Sequence, residues 1–130
     1  MNDREICILV VDDEHPILKM LQLRLERSGY VVDIASNGKK AISMIDENYN
    51  DVILTDIKMP EFSGEQILRH VKLINNDTLP VIGMSGTPWL LEQNDYDAIL
   101  SKPCTTKELI SAINQVLNKK KLKQKRPNFF

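Results

Sequence analysis

Five polar residues stand where short apolar runs end. Asp12 and Asp13 follow the run at 6–11, Asp56 the run at 52–55, Ser85 the run at 79–84, and Lys102 comes just beyond 98–100. Three carboxylates brought together repel one another. At about 4 Å each pair costs on the order of 1 kcal/mol in water and about four times that near a protein surface. A hard divalent cation relieves this repulsion, and Mg²⁺ prefers a few carboxylates, some waters and a phosphate oxygen to a full protein cage. Lys102 adds a compact positive charge and Ser85 a hydroxyl. Such a set can neutralise a phosphoryl group in transfer, and Asp56, facing the cluster from a strand end, is placed to act as a nucleophile.

The elements that must gather these residues are legible in the hydropathy pattern. Residues 6–11 are continuously apolar and partly β-branched, as a strand buried on both faces should be. Pro16 suits a first helical turn, and Ile17, Leu18, Leu21 and Leu25 fall within about 100° of arc, which predicts an amphipathic helix. Gly29 stops it. A second strand is expected over 30–35 and a helix with Ala41, Ile42, Met44 and Ile45 after Asn37-Gly38. A third strand over 52–55 precedes a helix over 64–75. A fourth strand over 79–84 precedes a short helix over 89–93, and a fifth strand over 98–100 precedes a final helix with Leu109, Ile110, Ile113, Val116 and Leu117 on one face. Five strands alternating with five helices imply a parallel sheet with helices on both faces. Such sheets bind ligands beyond the carboxyl ends of their strands, the end to which all five polar residues belong.

Composition narrows the function classes. The 130 residues are 42% hydrophobic and 27% charged, a soluble single-domain composition. The longest apolar run, six residues at 6–11, is too short to cross a bilayer. No basic start with a small-residue cleavage site precedes it, so a cytoplasmic protein is expected. Two cysteines make neither a disulfide framework nor a metal-ligand spacing. Residues 119–126 hold six of the 17 basic residues and none of the 18 acidic ones, which leaves 11 against 18, a net of −7, for the rest. An acidic body repels nucleic acid, so no direct nucleic-acid binding is expected. Residues 1–118 read as one domain and 119–130 as a basic tail. Three readings of the tail stay open: a solvated extension of the last helix, the start of a connection to an output domain, or an electrostatic contact with acidic partners.

Each residue alone has an ordinary explanation. Asp12-Asp13 could cap the helix at Pro16, Asp56 could be a turn residue before Pro60, Ser85 a turn serine, and Lys102 a solvated lysine. Their joint placement at the strand ends separates the two readings. His15 reads as a loop residue beside the site rather than a ligand, because Mg²⁺ prefers oxygen. Cys7 reads as a core residue, Cys104 as a helix-start residue and Trp89 as a packing residue.

The combination resembles the receiver domain of two-component response regulators, over about residues 5–118. The resemblance rests on Val11-Asp12-Asp13-Glu14, Thr55-Asp56-Ile57-Lys58-Met59-Pro60, Met84-Ser85-Gly86 and Ser101-Lys102-Pro103, in order and at similar spacing. It implies a flavodoxin-like fold with strand order 2-1-3-4-5 and makes Asp56 the phosphoacceptor for a histidine kinase or phosphotransfer protein. Asp13 would bind Mg²⁺ directly, Asp12 mainly through water, and Lys58 through its backbone carbonyl. Ser85 takes the hydroxyl switch position, Lys102 is the phosphoryl-binding lysine, and the Lys102-Pro103 bond is expected to be cis. The side chains of Lys58 and Thr87 are expected to flank the phosphoryl group and to tune dephosphorylation. Met20 and Leu23 lie off the buried stripe of the first helix and are expected to belong to the kinase-docking surface, with the chain a monomer or weak dimer.

Three departures from the family pattern bear on the readout. Ile99 stands three before the lysine, where an aromatic is usual. The stretch from Ser85 to Lys102 is short by about a helical turn, so the fourth helix is expected to be truncated. Cys104 stands where Phe commonly follows Lys-Pro. A phosphorylation-independent interaction module with an altered switch is therefore an alternative. An aspartyl-nucleophile phosphatase is another, disfavoured because Lys58 occupies the position of its second acid. The domain is otherwise expected to phosphorylate and dephosphorylate itself, turning over no separate substrate, and to signal by protein contacts to a downstream target.

Overall fold

The computed structural model describes residues 5–74, 78–88 and 95–125. Five strands, β1 (Cys7–Val11), β2 (Val31–Ala35), β3 (Val52–Asp56), β4 (Val81–Ser85) and β5 (Ala98–Ser101), form one parallel sheet in the order β2-β1-β3-β4-β5. The described helices are α1 (His15–Arg27), α2 (Gly38–Glu47), α3 (Gly64–Leu73) and α4 (Thr106–Lys125). This is the doubly wound, flavodoxin-like order that the resemblance implies. The short helix expected over 89–93, with Trp89, lies outside the described residues, as does the truncation expected there.

Alternation along the strands divides the core between two faces. Ile8 and Val10 of β1 pack with Leu18, Leu21 and Leu25 of α1 and with Leu109, Ile113 and Val116 of α4. Leu9 and Val11 turn to the other face and meet Ala41 and Ile45 of α2 and Ile67 and Val71 of α3. All residues of β3 and β4 are buried, which explains why the central strands read as unbroken apolar runs with no visible alternation. β4 begins at Val81, two residues later than the apolar run suggests. Pro80 has no N–H for a ladder bond, although its carbonyl still accepts from Ile53 at 3.0 Å.

Local signals set the helix starts. Asn37 accepts the Lys40 N–H at 2.8 Å and caps α2. At α3 the Ser63 N–H donates to Gln66 Oε1 at 2.9 Å, half of a capping box. The ring of Phe62 occupies the space a Cβ on Gly38 would need, locking the loop after β3 against the start of α2.

The last helix runs well past the apolar stripe. Lys, Leu and Gln are good helix formers, so α4 propagates to Lys125 after its buried face has ended at Leu117. Leu122 is 69% exposed, yet Lys120 turns back to the body with only 11% of its side chain exposed. Its Nζ lies 3.7 Å from Asp51 Oδ1 and 5.7 Å from the centre of the Tyr49 ring. Asp51 also accepts the Cys7 N–H at 2.7 Å and the Tyr49 hydroxyl at 3.0 Å. Among the described residues no helix is long and apolar enough to cross a membrane.

Candidate functional site

The parallel sheet brings Asp12, Asp13, Asp56, Ser85 and Lys102 to one rim, because every strand presents its carboxyl end there. Asp56 is the last residue of β3 and Ser85 the last of β4, while Asp12-Asp13 and Lys102 begin the loops after β1 and β5. Asp12 is fully buried, Asp56 nearly so, and Asp13 is exposed. Each offers a carboxylate oxygen, and the three oxygens lie within 4.8 Å of one another. Asp12 is held from both sides: its N–H donates to Ala35 O at 3.2 Å and its Oδ1 accepts the Glu14 N–H at 2.9 Å.

Lys102 spans the two buried carboxylates, with Nζ 3.3 Å from Asp12 Oδ2 and 3.3 Å from Asp56 Oδ2. Its backbone N–H donates to Ser85 O at 2.8 Å, and the following peptide bond to Pro103 is cis. Burial lifts the pKa of Asp56 above the usual carboxylate value. Lys102 opposes that rise, and the charges of Asp12 and Asp13 add to it. For Lys102 burial works against the charged form, but Asp56 and Asp12 outweigh it and the ammonium is held more tightly than usual. One cation thus faces three anions. An all-oxygen donor set with two net negative charges suits a hard cation such as Mg²⁺, and the set includes no histidine or cysteine.

Around this centre, Ser85 is buried and its Oγ accepts the Thr87 N–H at 3.0 Å. Lys58 is exposed and Thr87 half-buried. His15 is exposed at the start of α1 and outside the carboxylate cluster. Ile99 is half-buried in β5 opposite Gly83. Met20 and Leu23 are 42% and 49% exposed, on the outer side of α1. Met20, but not Leu23, lines a groove of about 390 Å³ with Arg24, Pro103 and Cys104. Cys104 precedes α4 by two residues and is half-buried; burial first, then Glu108, pushes its thiol pKa up.

Tyr96 is the neighbour that sequence reasoning missed. A Cβ on Gly64 would come within 2.8 Å of both its hydroxyl and the Asp56 carbonyl oxygen, and one on Gly83 within 3.0 Å of its ring. Burial, helped by the charges of Glu65 and Asp56, pushes its hydroxyl pKa up to about 12. An aromatic thus lies three residues before position 99, close to Gly64 where the loop that leaves Asp56 ends. Gly83 in an otherwise apolar strand was the available signal, since a strand glycine often marks close approach of another group.

A doubly wound parallel sheet with an acidic, lysine-bridged cluster at its carboxyl rim defines a class of α/β domains. The chain belongs to the response regulator receiver domain family, whose model matches residues 8–114. It is 36% identical to a receiver domain protein from Clostridium thermocellum of known structure, with a TM-score of 0.81 over 90% of this chain and 98% of that one. It is 33% identical to an uncharacterized 14.6 kDa protein from the sodA1 3′ region of Leptolyngbya boryana, covering 83% of this chain and 87% of the relative. It is 32% identical to the uncharacterized transcriptional regulatory protein YkoG of Bacillus subtilis, covering 85% of this chain. The chain spans about half the length of several relatives it matches, 50% for YkoG and 49% for a probable transcriptional regulator of Cyanidium caldarium.

Proposed function

We propose that this domain accepts a phosphoryl group on Asp56 from the phosphohistidine of a histidine kinase or phosphotransfer protein and signals the modification through protein contacts. The observation that carries the reading is the Asp56 carboxylate, nearly buried, flanked by two further carboxylates within 4.8 Å and by Lys102 at 3.3 Å. An Asp56 carboxylate oxygen forms a bond to phosphorus as the phosphorus–nitrogen bond breaks, and the electron pair returns to the imidazole. Lys102 balances charge on the phosphoryl oxygens and Ser85 donates its hydroxyl to one of them. Attack of water on phosphorus later releases phosphate and restores the carboxylate. Asp12, Asp13, Asp56 and the backbone carbonyl of Lys58 would hold Mg²⁺, which supplies electrostatic stabilisation of the transferring group. The side chains of Lys58 and Thr87 would flank the phosphoryl group and tune the entry of water.

The exposed Met20 and Leu23, with the groove beside Pro103, form the surface that receives the phosphodonor protein. Ile99 takes the place of the usual swinging ring, which favours a readout different from the common one and keeps the phosphorylation-independent module as the second reading. The domain works in the cytoplasm and turns over no separate substrate. Incubation with Mg²⁺ and acetyl phosphate followed by intact-mass measurement tests this: one added phosphoryl group, absent in Asp56→Asn, is expected. No adduct would leave the passive module, and steady phosphate release from unrelated monoesters would make the protein a phosphatase.

A further inference from the structure

On the face of the sheet away from α1 and α4, helices α2 and α3 leave a groove of about 380 Å³ between them. This volume is at the small end for ligand sites, which run from about 300 to 1,000 Å³, and suits anchoring side chains better than a whole cofactor. Its apolar lining comes from Ile42, Phe62 and Leu73, and Leu73 is 78% exposed. Its charged lining is all of one sign, Lys39 and Arg69, beside the imidazole of His70. His70 Nε2 lies 2.8 Å from Asp46 Oδ1, so the nearby carboxylate is engaged by the imidazole. Lys39 and Arg69 are exposed and have no ion-pair partner among the described residues.

The sign of this patch is opposite to that of the chain around it, which carries a net of −7 outside residues 119–126. Two unpaired cations flanking the exposed Leu73 and the half-buried Ile42 and Phe62 on an acidic body select for a ligand that is both anionic and apolar. We propose that the α2–α3 groove is a docking surface for a partner protein, and that it takes an acidic segment whose apolar side chains seat on Ile42, Phe62 and Leu73. The surface is distinct from the α1 groove beside Pro103 and lies outside the acidic cluster. Phe62 joins the two regions, since it belongs to the loop that leaves Asp56 and also walls the groove.

A fluorescein-labelled dodecapeptide of alternating acidic and leucine or phenylalanine residues serves as the probe, with a control carrying lysine at every acidic position. Fluorescence anisotropy of the unphosphorylated chain should show saturable binding of the acidic peptide and none of the control, weakening as salt is raised. Lys39→Glu with Arg69→Glu should weaken the acidic peptide by about tenfold or more and admit the lysine control. Both side chains are exposed, and a thermal melt of the double variant confirms folding. Leu73→Ser should weaken the probe without changing the preference between peptides. Amide shifts on titration should fall on α2, α3 and the Phe62 loop. Equal affinity for both peptides, no binding, indifference to charge reversal, or shifts centred on Met20 and Arg24 would overturn the proposal. So would self-association lost in the same double variant, which would assign the groove to a second copy of the chain.

Discussion

Replacing Asp56 by Asn is expected to stabilise the protein when no divalent cation is present. The Asp56 carboxylate faces Asp12 and Asp13 within 4.8 Å and a single ammonium at 3.3 Å. At an effective dielectric of about 20, each repulsion is about 3.5 kcal/mol or more and the attraction about 5 kcal/mol. Lys102 also hydrogen-bonds the carboxylate, so its pull is at least as large as the two repulsions together, and solvent screening reduces all of them because Asp13 is exposed and Lys102 partly so. Burial decides the sign, because it is the largest cause of the raised Asp56 pKa. Asp56→Asn should therefore gain about 1–2 kcal/mol at pH 7 in EDTA, a rise of about 3–8 °C in melting temperature. Folded Asp56 binds its proton more tightly than the unfolded chain does. Wild-type stability from this group therefore falls as pH rises from the ordinary carboxylate value through the raised one, then levels. The advantage of Asn should shrink as pH is lowered through that window. Mg²⁺ at about 100 times its Kd should add about 2.7 kcal/mol to the wild type and less to the variant, which lacks one ligand. Calorimetric melts across pH, with EDTA or Mg²⁺, measure all of this. A variant that melts at or below the wild type at pH 7 in EDTA, or a wild type indifferent to Mg²⁺, would refute the electrostatic account.

Three other substitutions probe separate features. Lys102→Ala leaves two buried carboxylates without their shared cation and should cost about 2–3 kcal/mol in urea denaturation; most of that should return when Asp56→Asn is added, because the pair is coupled. Lys120→Met removes the cation over Asp51, whose side chain is 3% exposed, and should cost about 1–2 kcal/mol, whereas the exposed Lys119→Met should change stability by less than about 0.5 kcal/mol. Leu23→Glu should slow phosphoryl transfer from a cognate kinase by about tenfold while acetyl phosphate remains as effective as before, a difference of about 1.4 kcal/mol in the protein–protein step; equal slowing with both donors would remove Leu23 from the docking surface.

Much of the architecture can be read directly from residue order. Apolar runs bounded by helical periodicities specify a parallel α/β sheet, and a parallel sheet places the residues after every strand on the same rim. Asp12, Asp13, Asp56 and Lys102 could therefore be assigned to one cluster although they are spread over 90 positions. The boundaries were less legible. Pro80 delays the start of β4, and the lysine-rich end of α4 continues as helix through intrinsic propensity after its apolar stripe has stopped.

Periodicity and residue type alone determined the fold class, the rim and the identity of the residues gathered there, because those follow from the repeat of local structure along the chain. Side-chain meetings across the fold were decided only in three dimensions. Tyr96 over Gly83 and Gly64, Phe62 in the space beside Gly38, Lys120 returning to Asp51 across 69 positions, and the basic groove between α2 and α3 leave no periodic trace. Each depends on the distance between two segments that the chain joins only through the packed core. Such a distance is set by how all the layers fit together rather than by any one stretch of sequence.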